Sequence, residues 1–375
     1  MTLDAKLYSE LNDIRSMDAE NARALSAEFY TSPDVLRAEE DAIFRSQWVC
    51  LGHVGEIPSP GDFYTTELVS EQLIVVRGES GDISVFSNVC RHRGNLVAQG
   101  RGNQRNFTCG YHAWVYGTDG SLKAAPLMKD VAGFSKEKCG LHAFRTDIWQ
   151  NFIFVNLDGT AEPLAPQMGQ MDALMKNYHH ELRHLNFMEE DVWDTNWKSL
   201  AENFSEGYHL SATHLKTLHP ITPTKLCKKT EFDPAYTAYH AFYDPKWPDR
   251  GPFHEDLTAS ERRNSILSVI FPCFLLSIAT HYTLFMCLRP AGVGKVAIRW
   301  GVVGFGTDSE SQSVKDYVDL CRAFNAEDRE KLEILHRALH TRYYKLGPLA
   351  PTDFEGPIWD FIQYFAHRFE DRSNG

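Results

Sequence analysis

Within one short stretch the chain carries Cys90, His92, Cys109 and His112, spaced as C-x-H-x16-C-x2-H. Two thiolates and two imidazoles presented on two loops can hold a [2Fe–2S] centre, both cysteines on one iron and both histidines on the other. Zinc is the competing occupant, but zinc fingers order their ligands Cys, Cys, His, His rather than interleaving them. The surrounding chain must therefore hold two loops side by side, and its residues read as strands. Trp48 to Leu51 begins them, and Ser59-Pro60-Gly61-Asp62 is a turn. Leu73 to Arg77 and Ile83 to Ser87 flank the turn-rich Gly78 to Asp82, a hairpin pattern. Phe107, Val115-Tyr116 before Asp119-Gly120, and Phe152 to Val155 continue the β character, so residues 45–160 read as a small all-β domain.

A second group of potential ligands lies in ENFSEGYHLSATH, residues 202–214. Glu202, Glu206 and His209 are spaced i, i+4, i+7 and would share one face of a helix. His214 falls about 140° further round, so the two imidazoles converge only if the helix bends or breaks. Two imidazoles and a carboxylate from elsewhere would make the facial triad of a non-haem Fe(II) site. Around this motif the pattern changes: Met168–His180, Asn196–Tyr208 and Asp316–His340 read helical, while Val269–Arg289 and Val296–Phe305 read as strands. Residues 1–44 lead into a helix starting at Ser32-Pro33.

Net charge is −12, which argues against nucleic acid as a partner, since phosphate binding needs clustered Lys and Arg. Lys225, Lys228 and Lys229 make only a small cluster, read as a solvated turn. No apolar run suits a membrane span or a secretory signal. The eight scattered cysteines suit a cytoplasmic chain, not a disulfide scaffold. Gly292-Val293-Gly294-Lys295 and Gly301–Gly306 lack the context of a nucleotide-binding fingerprint.

The chain resembles the catalytic α subunits of Rieske-type aromatic-ring-hydroxylating oxygenases over nearly its whole length. The resemblance rests on Phe44, Trp48 and Pro60-Gly61-Asp62, on NVCRHRG at 88–94 and CGYHAW at 109–114. It continues in FIFVNLDG at 152–159, NWKSLAENFSEGYH at 196–209 and AEDREKLE at 326–333. It implies an α+β fold: an N-terminal all-β Rieske [2Fe–2S] domain at 45–160 and a helix-grip catalytic domain of antiparallel sheet and helices at 161–375. Residues 1–44 would pack on the latter. His209, His214 and Asp328 become the implied ligands of a mononuclear Fe(II), with Glu327 competing for the third place and His219 outside the pattern. Most members carry Asp where this chain has Glu206. That carboxylate would bridge a Rieske histidine, His112, of one subunit to His209 of another, and the resemblance also implies a homotrimer. Glu202 is left in a supporting role, as are Asn203, Tyr208 and Trp114. No cysteine pair flanks the cluster ligands and no hydroxyl donor is evident beside them, so few hydrogen bonds to sulfur and a low potential are expected.

The implied activity uses O2 and electrons from NAD(P)H, delivered by a separate flavin/iron–sulfur reductase with or without a ferredoxin, to hydroxylate a small organic substrate. The length and Glu206 favour the resemblance to carnitine, glycine betaine and choline monooxygenases, and hence a quaternary ammonium substrate. Phe232, Tyr236, Tyr239, Phe242, Tyr243 and Tyr282 are candidates for a cation–π cage or for ordinary strand packing. The alternative is ring dihydroxylation of an aromatic acid. A reading from another class, a Rieske electron carrier without oxygenase activity, leaves the 202–214 motif and Asp328 without purpose.

Overall fold

Short β-branched and aromatic runs separated by glycine turns build one of two units in the computed structural model, which describes residues 3–249, 251 and 253–370. This unit, Phe44–Glu162, comprises β1 (Val49–His53), β2 (Asp62–Leu68), β3 (Glu71–Arg77), β4 (Ile83–Ser87), β5 (Arg101–Asn103), β6 (Asn106–Thr108), β7 (Val115–Gly117), β8 (Leu122–Ala124), β9 (Ala143–Trp149) and β10 (Phe152–Asn156). Seven strands pair in the order β1-β10-β9-β4-β3-β2-β5, and β6-β7-β8 form a second sheet. The expected hairpin across Gly78–Asp82 is β3–β4, in register from Arg77↔Ile83 to Leu73↔Ser87. Between the sheets Phe63, Ile74, Val76, Phe86, Phe107 and Tyr116 form a core that also buries Cys90 and Cys109. Phe63 meets Phe107 edge to face at 5.1 Å. The β7–β8 turn can sit this close because Gly120, at φ +75°, has no Cβ; one would lie 2.5 Å from the Phe86 ring.

The other unit comprises Met1–Ile43 and Pro163–Gly375. Its strands are β11 (His184–Trp193), β12 (Cys227–Lys229), β13 (Tyr236–Phe242), β14 (Asn264–Ile270), β15 (Phe274–Ile278), β16 (Tyr282–Gly292) and β17 (Lys295–Gly304). They form one antiparallel sheet ordered β11-β17-β16-β15-β14-β13-β12. The apolar run Val269–Arg289, expected as a single strand, is in fact divided among β14, β15 and β16. Pro272 has no N–H to give a ladder, so the chain reverses at Phe271–Cys273 and again at Ala279–His281. Helices Trp197–Ser205, Gln312–Leu339 and Thr352–Arg368 accompany the sheet, completing an α+β arrangement. Among the described residues no helix is long and apolar enough to cross a membrane.

The N-terminal segment is tied to the helix that precedes the 206–214 ligands. Ser32 caps helix Pro33–Glu39 by accepting from the Asp34 and Val35 amides, the start expected from Ser32-Pro33. At the end of this helix Glu39 pairs with Lys198 and accepts from Trp197 Nε1 at 2.8 Å. Both charged side chains are 0% exposed. Burial pushes the Glu39 carboxyl up and the Lys198 ammonium down, and their attraction opposes both shifts. Removing one partner would strand a buried charge, so the pair holds the segment in a single placement. Lys229, read from sequence as solvated, instead pairs with Asp360 at 2.7 Å. None of the eight cysteines is in a disulfide, and all but Cys139 are buried.

Candidate metal centres

In the β unit, Cys90 and His92 occupy one loop and Cys109 and His112 another, with matching backbones. The first is closed by Gly94 N–H donating to Cys90 O at 3.0 Å and flanked by the Val89↔Leu96 bridge. In the second, Ala113 N–H donates to Cys109 O at 3.0 Å, and the Thr108↔Val115 pair of β6 and β7 flanks it. Four residues after each cysteine the chain takes a left-handed turn, at Gly94 (φ +77°) and Ala113 (φ +56°), and each histidine precedes that turn. The His92 and His112 rings lie 4.5 Å apart between centroids. His92 stacks flat on Trp114 at 4.9 Å, so Trp114, offered from sequence as support or as core, serves here as a platform. Burial pushes the Cys109 thiol up, but the Tyr111 and His112 amides, Cys90 and Asn95 outweigh it and hold the thiol below its ordinary range. His92 Nδ1 is buried without a hydrogen-bond partner. A thiolate-favouring environment and an orphaned imidazole nitrogen fit a [2Fe–2S] cluster on these four side chains.

One expectation about this centre needs correction. The Tyr116 hydroxyl lies 3.3 Å from Cys90 Sγ and accepts the Arg91 amide at 3.0 Å. A thiolate ligating the cluster has no proton to give, so in this pair the hydroxyl donates. A hydroxyl donor does stand beside the cluster ligands. Sequence reading missed it because the β-strand of residues 115–117 returns Tyr116 to a loop 26 positions earlier.

In the other unit the expected helix Asn196–Tyr208 runs only from Trp197 to Ser205, capped by Asn196. Glu206 is extended (φ −124°, ψ 154°), and a short helix restarts at Leu210–Thr213. Glu206 and His209 therefore do not share a helix face with Glu202. Gly207 explains the break: a Cβ there would lie 2.3 Å from Cys227 Sγ, so the chain passes against β12 only without a side chain.

This break lets the imidazoles converge. His209 Nε2 and His214 Nε2 are 3.1 Å apart, and Asp328 Oδ1 lies 3.5 and 3.0 Å from them. The three ligand atoms fall within 4.8 Å of one another, close enough to hold one metal ion. Behind them, His209 Nδ1 meets Glu206 Oε1, and His214 Nδ1 meets Glu327 Oε2 at 2.7 Å. Glu327 also accepts from the Thr217 hydroxyl at 2.6 Å. It thus stands on the far side of His214, and the position of third donor falls to Asp328. Asn203 Nδ2 lies 3.4 Å from both His209 Nε2 and Asp328 Oδ1. Tyr208 is exposed and stacks on Phe354, outside the donor set. His219 Nδ1 bonds Ser211 Oγ at 2.9 Å. Glu202 is partly buried and accepts from Tyr30 at 2.6 Å; desolvation pushes it up to about 7. A further group, His179, His254 and Asp256, has its atoms engaged with one another, His179 Nε2 meeting Asp256 Oδ2 at 2.6 Å.

His209, His214 and Asp328 line a cavity of about 440 Å³. Of the aromatics singled out from sequence, Tyr239, Tyr243 and Tyr282 line it, joined by Trp247, Phe253 and Phe324. Phe232, Tyr236 and Phe242 do not: Phe232 is exposed, and Tyr236 is buried elsewhere. Trp247 and Phe253 carried no periodicity that could have pointed to them.

Two family models match this chain. A family model described as "Rieske [2Fe-2S] domain" matches residues 47–135. Another, described as "Ring hydroxylating alpha subunit (catalytic domain)", matches residues 171–371. The carnitine monooxygenase oxygenase subunit of Acinetobacter pittii (strain PHEA-2) is 27% identical over 353 residues, covering 90% of this chain and 92% of that one. Among solved structures, the quaternary ammonium Rieske monooxygenase CntA in complex with L-carnitine superposes with a TM-score of 0.84 at 23% identity, covering 99% and 100% of the two chains. Naphthalene 1,2-dioxygenase from Rhodococcus sp. gives 0.81 at 22% identity, covering 98% of each.

Two outcomes follow from this geometry. Tyr116→Phe removes a hydrogen bond that favours the reduced, more negative cluster. At about 1 kcal/mol per bond the midpoint potential should drop by about 40 mV in protein-film voltammetry. The pKa of Glu202 is raised on folding, so its stabilising contribution is complete below about pH 4.5 and is lost as pH rises through about 7. Thermal unfolding followed by circular dichroism at pH 5 and 7.5 should show wild type losing on the order of 2 kcal/mol that Glu202→Gln does not lose.

Proposed function

Because the chain belongs to the ring-hydroxylating oxygenase α-subunit family, we propose that it is the terminal oxygenase of a multicomponent system acting on a quaternary ammonium compound. In this reading residues 45–160 hold the cluster through Cys90, His92, Cys109 and His112. Residues 161–375, with 1–44 packed on them, hold the iron through His209, His214 and Asp328. The observation that carries the reading is the convergence of these three donors on a cavity walled largely by aromatic and aliphatic side chains. Similarity to a carnitine monooxygenase subunit over 90% of the chain favours the substrate class.

When bound, the cluster supplies single electrons and the Fe(II) supplies reductive activation of O2. The protein's own part is positional. Glu206 and Glu327 accept the Nδ1 protons of His209 and His214, which fixes the tautomer and turns both Nε2 lone pairs to the cavity. Asn203 steadies Asp328 Oδ1. Phe324, whose ring lies 6.3 Å from that of His214, gives the metal end of the cavity an aromatic wall for a trimethylammonium group. Apolar walls keep water from the reacting carbon. Glu206 also serves as the bridge to His112 of a neighbouring subunit in a homotrimer. Electrons come from NAD(P)H through a separate flavin/iron–sulfur reductase, in the cytoplasm.

The test is oxygen uptake and product analysis with a surrogate reductase, across quaternary amines and aromatic acids. Aldehyde release from quaternary amines alone supports the reading. A cis-dihydrodiol from an aromatic acid replaces it with ring dihydroxylation, and an iron content of two rather than three per chain replaces it with an electron carrier. Glu206→Gln should keep full iron and sulfide content while slowing single-turnover reoxidation of the cluster about 10–100-fold. Unchanged reoxidation removes the bridge. Loss of the mononuclear iron would leave Glu206 an orienting role only.

A further inference from the structure

Arg262 stands out in the substrate cavity as a cation for which the described residues supply no ion pair. It lies on the 3-10 turn Glu261–Arg263 before β14 and lines the cavity. Its Nε is buried without a hydrogen-bond partner. The guanidinium carbon sits 5.5 Å from the centroid of Phe253, another lining residue. The neighbouring Arg263 is different: it donates to Trp247 O at 2.8 Å, Asp249 Oδ1 at 2.5 Å and Asp244 O at 2.8 Å. Two cations adjacent in sequence thus differ in state. Arg263 is consumed by the fold, and Arg262 is held in place without being used by it.

The turn that carries Arg262 is itself well secured. Glu261 accepts from Asn177 at 3.1 Å and from the Thr258 amide at 2.7 Å, and Arg262 N–H donates to Thr258 O at 3.1 Å. Strand register separates this turn from the metal ligands. Tyr239, whose hydroxyl donates to Glu206 O at 3.1 Å, pairs with Leu267 on β14. Asn264, where β14 begins, is three residues back, roughly 10 Å at about 3.3 Å per residue. A planar guanidinium there matches one ligand group best, a carboxylate bound through two parallel hydrogen bonds.

We propose that Arg262 anchors the carboxylate of the substrate at the end of the cavity away from His209, His214 and Asp328. Resting on the quaternary ammonium reading, this makes the substrate a betaine, with its ammonium end towards the metal ligands and its carboxylate at Arg262. A quaternary amine lacking the acid group would fit the aromatic walls but lose its register along the cavity.

The experiment measures equilibrium binding to the holoenzyme by quenching of tryptophan fluorescence, Trp247 being in the cavity wall. The probes are L-carnitine with its methyl ester, and benzoate with methyl benzoate. Visible absorption of the cluster checks that each variant is intact. Wild type should bind the acid of an accepted pair at least tenfold more tightly than its ester. Arg262→Gln should weaken the acid at least tenfold and the ester less than twofold, and Arg262→Lys should restore part of the difference. Equal loss for acid and ester in Arg262→Gln, no acid preference in wild type, or binding of neither acid overturns the anchor. The readings separate cleanly. Acid preference confined to the benzoate pair keeps Arg262 and removes the quaternary substrate. Binding of the carnitine pair without acid preference does the reverse.

Discussion

A carboxylate stands behind each imidazole of the mononuclear site, and the rest of the site depends on that arrangement. Glu206 takes His209 Nδ1 and Glu327 takes His214 Nδ1. With those protons committed, both Nε2 atoms present lone pairs, 3.1 Å apart, on the side where Asp328 lies. An imidazole free to rotate would spend its entropy on ordering at every metal-binding event; here folding has already fixed it. Adjacent residues of one helix, Glu327 and Asp328, divide the two tasks because successive side chains point about 100° apart.

That arrangement needs the chain to leave helical geometry at one place. Trp197–Ser205 is held on its N-terminal side by the buried Glu39–Lys198 pair and by Tyr30 on Glu202. On its other side Gly207 slips past Cys227 where no side chain would fit. A rigid helix followed by an abrupt break delivers Glu206 and His209 to the same position every time. The polar groups involved are buried, so each is costly to displace unpaired, and the backbone path is correspondingly well defined.

The two centres were legible in the sequence to different depths. The interleaved Cys-x-His and Cys-x2-His pattern announced its own chemistry, because ligand order and spacing are local properties of a loop. The Tyr116 hydroxyl beside Cys90 was not legible: it reaches the ligand loop only because two short strands pair. The His209–His214 pair was visible as residue types, while its geometry was not. Helical spacing placed Glu206 with Glu202, and the fold separated them. The run Val269–Arg289 likewise looked like one strand, since hydrophobicity marks burial without marking where a buried chain turns.

By itself, then, the sequence determined the candidate ligand set, the β character of the first unit and the mixed character of the second. These follow from side-chain type and short-range periodicity. Only the tertiary structure decided which carboxylate faces the metal side and which backs a histidine. It also decided which aromatics line the cavity, and that among the described residues Arg262 Nε has no hydrogen-bond partner beside an engaged Arg263. Each of those outcomes depends on atoms far apart in the chain meeting within hydrogen-bond distance, and no local pattern encodes such a meeting.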